Sequence, residues 1–383
     1  MELEKNKYMS LTQTKRKNML IIIQISLIIT ILFSCLFASN LEVLFLLEPN
    51  ITPTSHTQVH FIDVGQGDCA AIKFSNGKIM LVDSGTQEYR RKLSYYLDNI
   101  ILTNSNTIDY LLLTHPDVDH SGNVEYLLDN YQINTFIRPS IYESYENKSP
   151  SCENQVYRNI LQKVVAKNIN TIMPSTKVWY EGNVKINMLN PIEFVSNVNT
   201  LDTNDFSPVV IINDEECSML LAGDISSKIE NIILNNYDNN LLDVDILKLS
   251  HHGSKYSSSV QFINATSPKY VVATCGENTY GHPANETLQR LLDYDKSTDS
   301  KTFNNLSSTQ LDGNIVYSLD SNINKDIIKN VDDYNFVSYY NYAIIMVLYI
   351  LYLIVLPYFT TLNKNRRFDT LNRQYVHSKE HIT

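Results

Sequence analysis

Apolar and polar positions alternate in short runs along most of the chain, and the runs end at turn residues. Alternation over 58–63, an apolar stretch over 69–74 and another over 79–82 predict three strands, the last two joined by the turn-forming pair Asn76-Gly77. Helical spacing follows over 88–102. A short apolar strand over 108–114 then stops at His115-Pro116, and Ser121, Gly122 and Asn123 supply cap residues for a helix reaching 131. Further strands are predicted at 133–137, 184–189, 208–212, 217–222, 244–249, 270–273 and 314–318, with helices at 154–167, 226–235, 256–264 and 284–292. The Asn/Ser/Asp-rich stretches 140–154 and 295–312 read as loops. Strand-rich halves with helices set between them imply an α/β architecture of two sheets covered by helices on their outer faces.

Two segments break this pattern. Residues 19–38 and 339–359 are uncharged and apolar, each about the 20 residues a helix needs to cross a bilayer, and the second carries tyrosines toward both ends. A signal peptide cleaved near Ala38-Ser39 is the competing reading of the first, and the length of the apolar stretch counts against it. Lys5, Lys7, Lys15, Arg16 and Lys17 precede the first segment, and Lys364, Arg366, Arg367 and Arg373 follow the second, which puts both tails on the cytoplasmic side. The expected layout is a basic tail (1–18), a membrane helix (19–38), a linker (39–57), a folded domain on the outer face (58–320), a linker (321–338), a second membrane helix (339–359) and a basic tail (360–383).

Charge sharpens that division. Each tail carries a net +3, so a chain of 383 residues and net charge −10 leaves −16 on the part between them. A domain so acidic repels polyanions over long range, and contact with one is confined to a cation-filled or locally basic site. Cys69, Cys152, Cys217 and Cys275 fall in the outer part, where one or two disulfides are allowed but no spacing fixes a pairing. No CxxC or Cys/His zinc spacing occurs.

The candidate chemistry lies where apolar strands stop. Thr114-His-Pro-Asp-Val-Asp-His-Ser-Gly122 places His115, Asp117, Asp119 and His120 within six positions, and Pro116 bars a helix at the start of the cluster. Leu220-Leu-Ala-Gly-Asp224 delivers one carboxylate at a strand end, and Leu249-Ser-His251-His252-Gly-Ser254 delivers two imidazoles. Five of the nine histidines, at 115, 120, 251, 252 and 282, sit at such strand ends or turns, and their coincidence with carboxylates is the plan of a hydrolytic metal site.

These motifs occur in order with Phe61-Ile-Asp-Val-Gly-Gln-Gly-Asp68, Leu81-Val-Asp83-Ser-Gly85 and Tyr280-Gly-His282-Pro283. Over roughly 58–320 the chain resembles the metallo-β-lactamase superfamily, and within it the hydrolase domain at the C-terminus of ComEC-type DNA-uptake proteins. The resemblance implies a four-layer αβ/βα sandwich with its site at the edge between the sheets, here flanked by the two membrane helices. It assigns His115 and Asp117 to one metal, Asp119, His120 and one of His251/His252 to a second, and Asp224 to a bridge between them. His251 is taken as the ligand and His252 as the proton donor to the leaving group, an order that spacing alone leaves open. Asp119 positions or deprotonates a metal-activated water, Asp83 orients ligands through hydrogen bonds, and His282 contacts a substrate phosphate.

Two departures from the commoner superfamily pattern stand out. Asp117 replaces the second histidine of His-x-His-x-Asp-His, and no histidine occurs between 121 and 250; Asn204 is left as a weak oxygen ligand or substrate contact. Oxygen donors harden a site, so of two divalent ions manganese is favoured over zinc or magnesium. The expected function is a membrane-anchored phosphodiesterase or nuclease acting on DNA outside the membrane, beside a separate DNA-uptake transporter. The alternatives are a hydrolase of a cell-wall or small-molecule phosphodiester, and an inactive membrane-tethered binding protein. Oligomeric state is left open.

Overall fold

The computed structural model describes residues 56–328 except 104, 140, 142–154, 174, 198–200, 215–216 and 321–322, together with 21, 24 and 28. Apart from those three positions, the expected spans 19–38 and 339–359 lie outside the described residues, as do both basic tails. No helix among the described residues is long and apolar enough to cross a membrane. The described domain falls within the larger of two units, Pro49–Asn330.

Side chains point alternately to the two faces of a strand, and that period of two divides the apolar residues of the larger unit between two cores. Val59 and Phe61 of β1 (Gln58–Phe61), Met80 and Val82 of β3 (Ile79–Val82), Val210 and Ile212 of β9 (Val209–Asp214) and Met219 and Leu221 of β10 (Cys217–Leu221) share one buried cluster. Their neighbours Ile79, Leu81, Val209, Ile211 and Leu220 belong to another, together with Leu93, Leu127 and Ile160 from helices and with Ile229, Ile233, Phe262 and Leu291 from later ones. The first cluster therefore fills the space between two sheets. The second lines their helix-covered faces, which gives the α/β sandwich expected from the sequence.

Among the described residues one sheet has eight strands in the order β15-β14-β1-β2-β3-β4-β5-β6, adding β2 (Ala70–Lys73), β4 (Thr107–Leu112), β5 (Gln132–Ile137), β6 (Asn170–Ile172), β14 (Asn314–Ser318) and β15 (Asn324–Ile328). The other has seven, β13-β12-β11-β10-β9-β8-β7, adding β7 (Lys177–Glu181), β8 (Val184–Leu189), β11 (Ile246–Lys248), β12 (Tyr270–Ala273) and β13 (Leu306–Ser308). β3, β4 and β5 run parallel, and so do β10, β11 and β12. Parallel strands bring their carboxyl ends to one edge, so the residues just past β3, β4, β10, β11 and β12 gather there.

The structure corrects three expectations and decides a point the sequence left open, the state of the cysteines. β15 pairs antiparallel with β14 inside the stretch read as a linker from 321 to 338, so the domain does not end at 320. β6, β7 and β13 were not expected; they are short, and β6 and β7 are edge strands with partly exposed side chains that blur the alternation. The single helix over 88–102 is a 3-10 turn, an α-helix (Arg90–Tyr96) and a π segment (Leu97–Ile101) in succession. No bridge forms among Cys69, Cys217 and Cys275, which are buried free thiols, and Cys152 lies outside the described residues.

Candidate metal centre

The chain turns sharply where β4 ends. Pro116 and Asp117 stay extended, Asp117 caps a single helical turn (Val118–Ser121), and that turn swings His120 inward while Asp117 and Asp119 stay partly open to solvent. Gly67 makes the approach of the neighbouring loop possible: a Cβ there would meet the Asp119 carbonyl oxygen at 2.4 Å, and instead the Asp68 amide donates to that oxygen at 3.0 Å. After β10, Gly223 at φ +54° turns the backbone against Ser207, and Asp224 follows, 2% exposed. Past β11 the chain takes two left-handed residues in a row, His251 and His252, and sends their rings to different places.

Four groups converge on Asp224. Its Oδ2 lies 3.4 Å from His120 Nε2, 3.3 Å from His252 Nε2 and 3.8 Å from His251 Nε2. Lys248 Nζ lies 3.7 Å from Oδ1. His252 Nε2 is also 3.3 Å from Asp119 Oδ2, and His115 Nε2 is 3.9 Å from Asp117 Oδ2. Two triads have ligand atoms all within 4.8 Å of one another, Asp68/His120/His252 and His115/His120/Asp224.

The second nitrogen of each buried ring is anchored. His120 Nδ1 donates to Asp83 Oδ2 at 2.8 Å, and Asp83 in turn accepts from the Thr114 amide at 2.8 Å and hydroxyl at 2.7 Å. His252 Nδ1 donates to the Thr274 carbonyl at 2.7 Å, and His115 Nδ1 lies 3.1 Å from Thr114 Oγ1 and 3.4 Å from Ser207 Oγ. That leaves the Nε2 atoms of His115, His120 and His252, and Asp224 Oδ1, buried without a hydrogen-bond partner. Orphaned buried nitrogens and a carboxylate aimed at one another are costly unless a cation joins them, so the residues present fit a divalent metal.

Charge tells the same story. Burial alone would lower His252, but Asp224, Asp68 and Asp119 outweigh it and raise the ring to about 10. Burial likewise opposes His120, and Asp224 and Asp83 raise it well above the ordinary histidine value. His115, where burial prevails with His120 adding to it, falls to about 3. Without a cation, protons on His120 and His252 stand where a metal would neutralise the carboxylates.

The sequence-derived residues separate into those the structure brings together and those it does not. His115, His120, Asp119, Asp224 and His252 meet in the cluster, and Asp117 flanks it, joined to Asn204 through Thr203 Oγ1, which donates to Asp117 Oδ1 at 3.2 Å and to Asn204 Oδ1 at 3.3 Å. Asp83 sits behind His120. His251 is one-third exposed with its Nε2 3.8 Å from Asp224 Oδ2, whereas His252 is buried with its Nε2 3.3 Å from the same oxygen. His282 stacks beside His252 and outside both triads.

Sequence reasoning missed Asp68 and Lys248. Lys248 is 3% exposed, pairs closely with Asp68 and donates to the Gly223 carbonyl at 3.2 Å. Its signal was present: a lysine inside the apolar run Ile246-Leu-Lys-Leu has to find a buried partner.

The family model described as Metallo-beta-lactamase superfamily matches residues 62–276, over half of the chain and all of the strand ends above. The chain belongs to the metallo-β-lactamase superfamily. Three relatives are 27% identical to it: ComE operon protein 3 of Bacillus subtilis over 267 residues (65% of this chain, 32% of the relative), Recombination protein 2 of Haemophilus influenzae over 246 residues (63% and 27%) and Competence protein ComA of Neisseria gonorrhoeae over 248 residues (63% and 30%). The chain thus spans about a third or less of the length of these relatives. It contains a ComEC-like metallo-β-lactamase domain, a metallo-hydrolase fold related to competence proteins.

Proposed function

We propose that this chain is a membrane-anchored, metal-dependent phosphodiesterase that cuts DNA on the outer side of the membrane. The observation that carries the hydrolytic part is the convergence of the unpaired Nε2 atoms of His115, His120 and His252 around the Asp224 carboxylate. Kinship with competence proteins supports DNA as substrate, and the two apolar segments with basic flanks support the anchoring. A separate transporter beside it is part of the same reading.

His115, Asp117, Asp119, His120, Asp224 and His252 are the residues we assign to holding two divalent ions, with His252 in the place expected for His251. Such ions act as Lewis acids toward a phosphoryl group and let water ionise near neutral pH. Three of these six donors are carboxylates, and that share of oxygen favours manganese. Asp119, partly open to solvent, orients the attacking water and accepts its proton. Lys248 fixes Asp68 and faces Asp224, which holds the carboxylates in place. His251 and His282 are half-buried beside His252; both are lowered, burial being the first cause, so as neutral rings they offer N–H groups to phosphate oxygens.

The test uses the full chain, stripped of metal and reloaded in turn with Mn²⁺, Mg²⁺ or Zn²⁺, on single-stranded DNA and on a small phosphodiester. Mn²⁺-dependent DNA cleavage that disappears in Asp119→Ala is the expected result. Turnover of the small phosphodiester alone transfers the substrate to a cell-wall or small-molecule diester, and inactivity with every metal favours a tethered binding protein.

A further inference from the structure

Three rings form a ladder from the buried cluster to solvent. His252 and His282 are inclined at 29° with centroids 6.1 Å apart, and His282 and Tyr280 at 27° with centroids 5.8 Å apart. Both spacings fall in the range of offset-stacked aromatic pairs. His251 meets His282 edge-on, at 74°, and stays out of the ladder. The top rung, Tyr280, is 75% exposed.

The ladder is braced from below. Asn278 closes the turn: its Oδ1 accepts from the His282 amide at 3.0 Å, and its Nδ2 donates to the Gly276 and His282 carbonyls at 2.8 and 2.9 Å. The Ala284 amide donates to Gly253 O at 2.9 Å, and a Cβ on Gly253 would meet Pro283 Cβ at 2.7 Å, so this turn and the His251–His252 loop are packed together. A single exposed aromatic is ordinary on a protein surface. An exposed ring that is held on a braced turn and stacked on a histidine that in turn stacks beside His252 is not explained by packing.

We propose that Tyr280 is a nucleobase platform: a base neighbouring the phosphodiester held at the cluster stacks on the exposed Tyr280 ring, which makes single-stranded DNA the substrate class. This rests on the DNA-cleaving reading above. Stacking suits a domain of this charge, because an acidic surface gains little from phosphate attraction, whereas every base presents a π face whatever the sequence. Bases inside a duplex are already stacked on one another, so the platform discriminates between the two forms of DNA.

The test is an abasic scan. Purified full chain is titrated with fluorescent oligodeoxynucleotides that lack one base at successive positions around the cleaved bond, and KM and kcat are measured on the same set. In the wild type, removal of one particular base should weaken binding by roughly 5- to 150-fold, the range for loss of one base–aromatic stack. Tyr280→Ala should show that loss on the intact strand and no further loss at the abasic position, carried in KM more than in kcat, and Tyr280→Trp should restore the position dependence. A flat scan in the wild type, an abasic penalty that persists in Tyr280→Ala, or equal affinity for blunt duplex and single strand overturns the platform. DNA cleavage with a flat scan sinks this proposal alone. A chain that hydrolyses only a small phosphodiester and never binds DNA sinks the nuclease reading, and this one with it.

Discussion

Replacing Lys248 with Met tests whether the buried ion pair holds the carboxylates of the centre in place. Lys248 is in contact with Asp68, lies 3.7 Å from Asp224 Oδ1 and donates to Gly223 O at 3.2 Å. At an effective dielectric constant of about 20, one such pair near 4 Å is worth about 4 kcal/mol. Desolvation of the lysine offsets part of that in the native protein, but truncating one partner leaves the Asp68 carboxylate buried without its ammonium, facing His252, His120 and Thr274. Breaking a buried pair in this way costs about 3–5 kcal/mol, which corresponds to a fall in Tm of roughly 6–20 °C in a domain of this size. Methionine preserves most of the side-chain volume, so the loss reports charge and not a cavity. Denaturant unfolding of the metal-free full chain, followed through the transition of the larger unit, measures it. The double variant Lys248→Met/Asp68→Asn should recover most of the loss, because both charges are gone. A loss under about 1 kcal/mol in the single variant, or simple additivity in the double, would refute this account of the pair.

Asp83→Asn keeps a residue tolerant of the φ of +60° found there but weakens the acceptor behind His120, so metal affinity should fall about 10- to 100-fold with the fold intact; chelator competition monitored by a metal indicator gives the ratio. Metal binding should expel protons, since carboxylate neighbours hold His252 at about 10 and His120 well above its ordinary value; calorimetry in buffers of different ionisation enthalpy counts them, and no release near pH 7 would contradict the assignment of these rings. His60 belongs to neither triad, and burial, with Lys73 adding to it, lowers it to about 3 from an ordinary 6.5. Its folded value is depressed, so its contribution is complete above about pH 6.5 and is lost as pH falls toward 3, at about 1.4 kcal/mol per pH unit. His60→Gln should therefore flatten the pH dependence of stability in that window, and an unchanged acid limb would show that His60 does not titrate on unfolding.

Much of the site was legible because its residues follow apolar runs that could only be buried strands. The strands before Asp83, His115, Asp224 and His252 announce themselves by their own composition, and the metal-capable residues come directly after them. What stayed hidden depends on pairings distant in sequence. Lys248 makes sense only beside Asp68, and which of the His251 and His252 rings is buried follows from two consecutive left-handed residues that no composition signals. The edge strands were hidden for a different reason. Lys177–Glu181 exposes Val178 and Tyr180 while its alternate residues are covered, and Asn324–Ile328 is largely polar, so neither carries the alternation by which a half-buried strand is recognised.

The closing of the eight-stranded sheet has a consequence for how the molecule is made. Gln58 of β1 pairs with Ser318 of β14 across 260 positions, so the first of the described strands to be synthesised waits for nearly the last of them before its second edge is covered. The site is assembled on the same schedule: His115 and His120 emerge long before Asp224 and His252, and a partly synthesised chain holds imidazoles without the carboxylate that unites them. Such distant pairings make folding slow, and until the sheet closes the nascent chain presents a bare strand edge as a template for wrong association. The cluster is thus complete only once the strands that carry Asp224 and His252 have docked beside the one that carries His115 and His120.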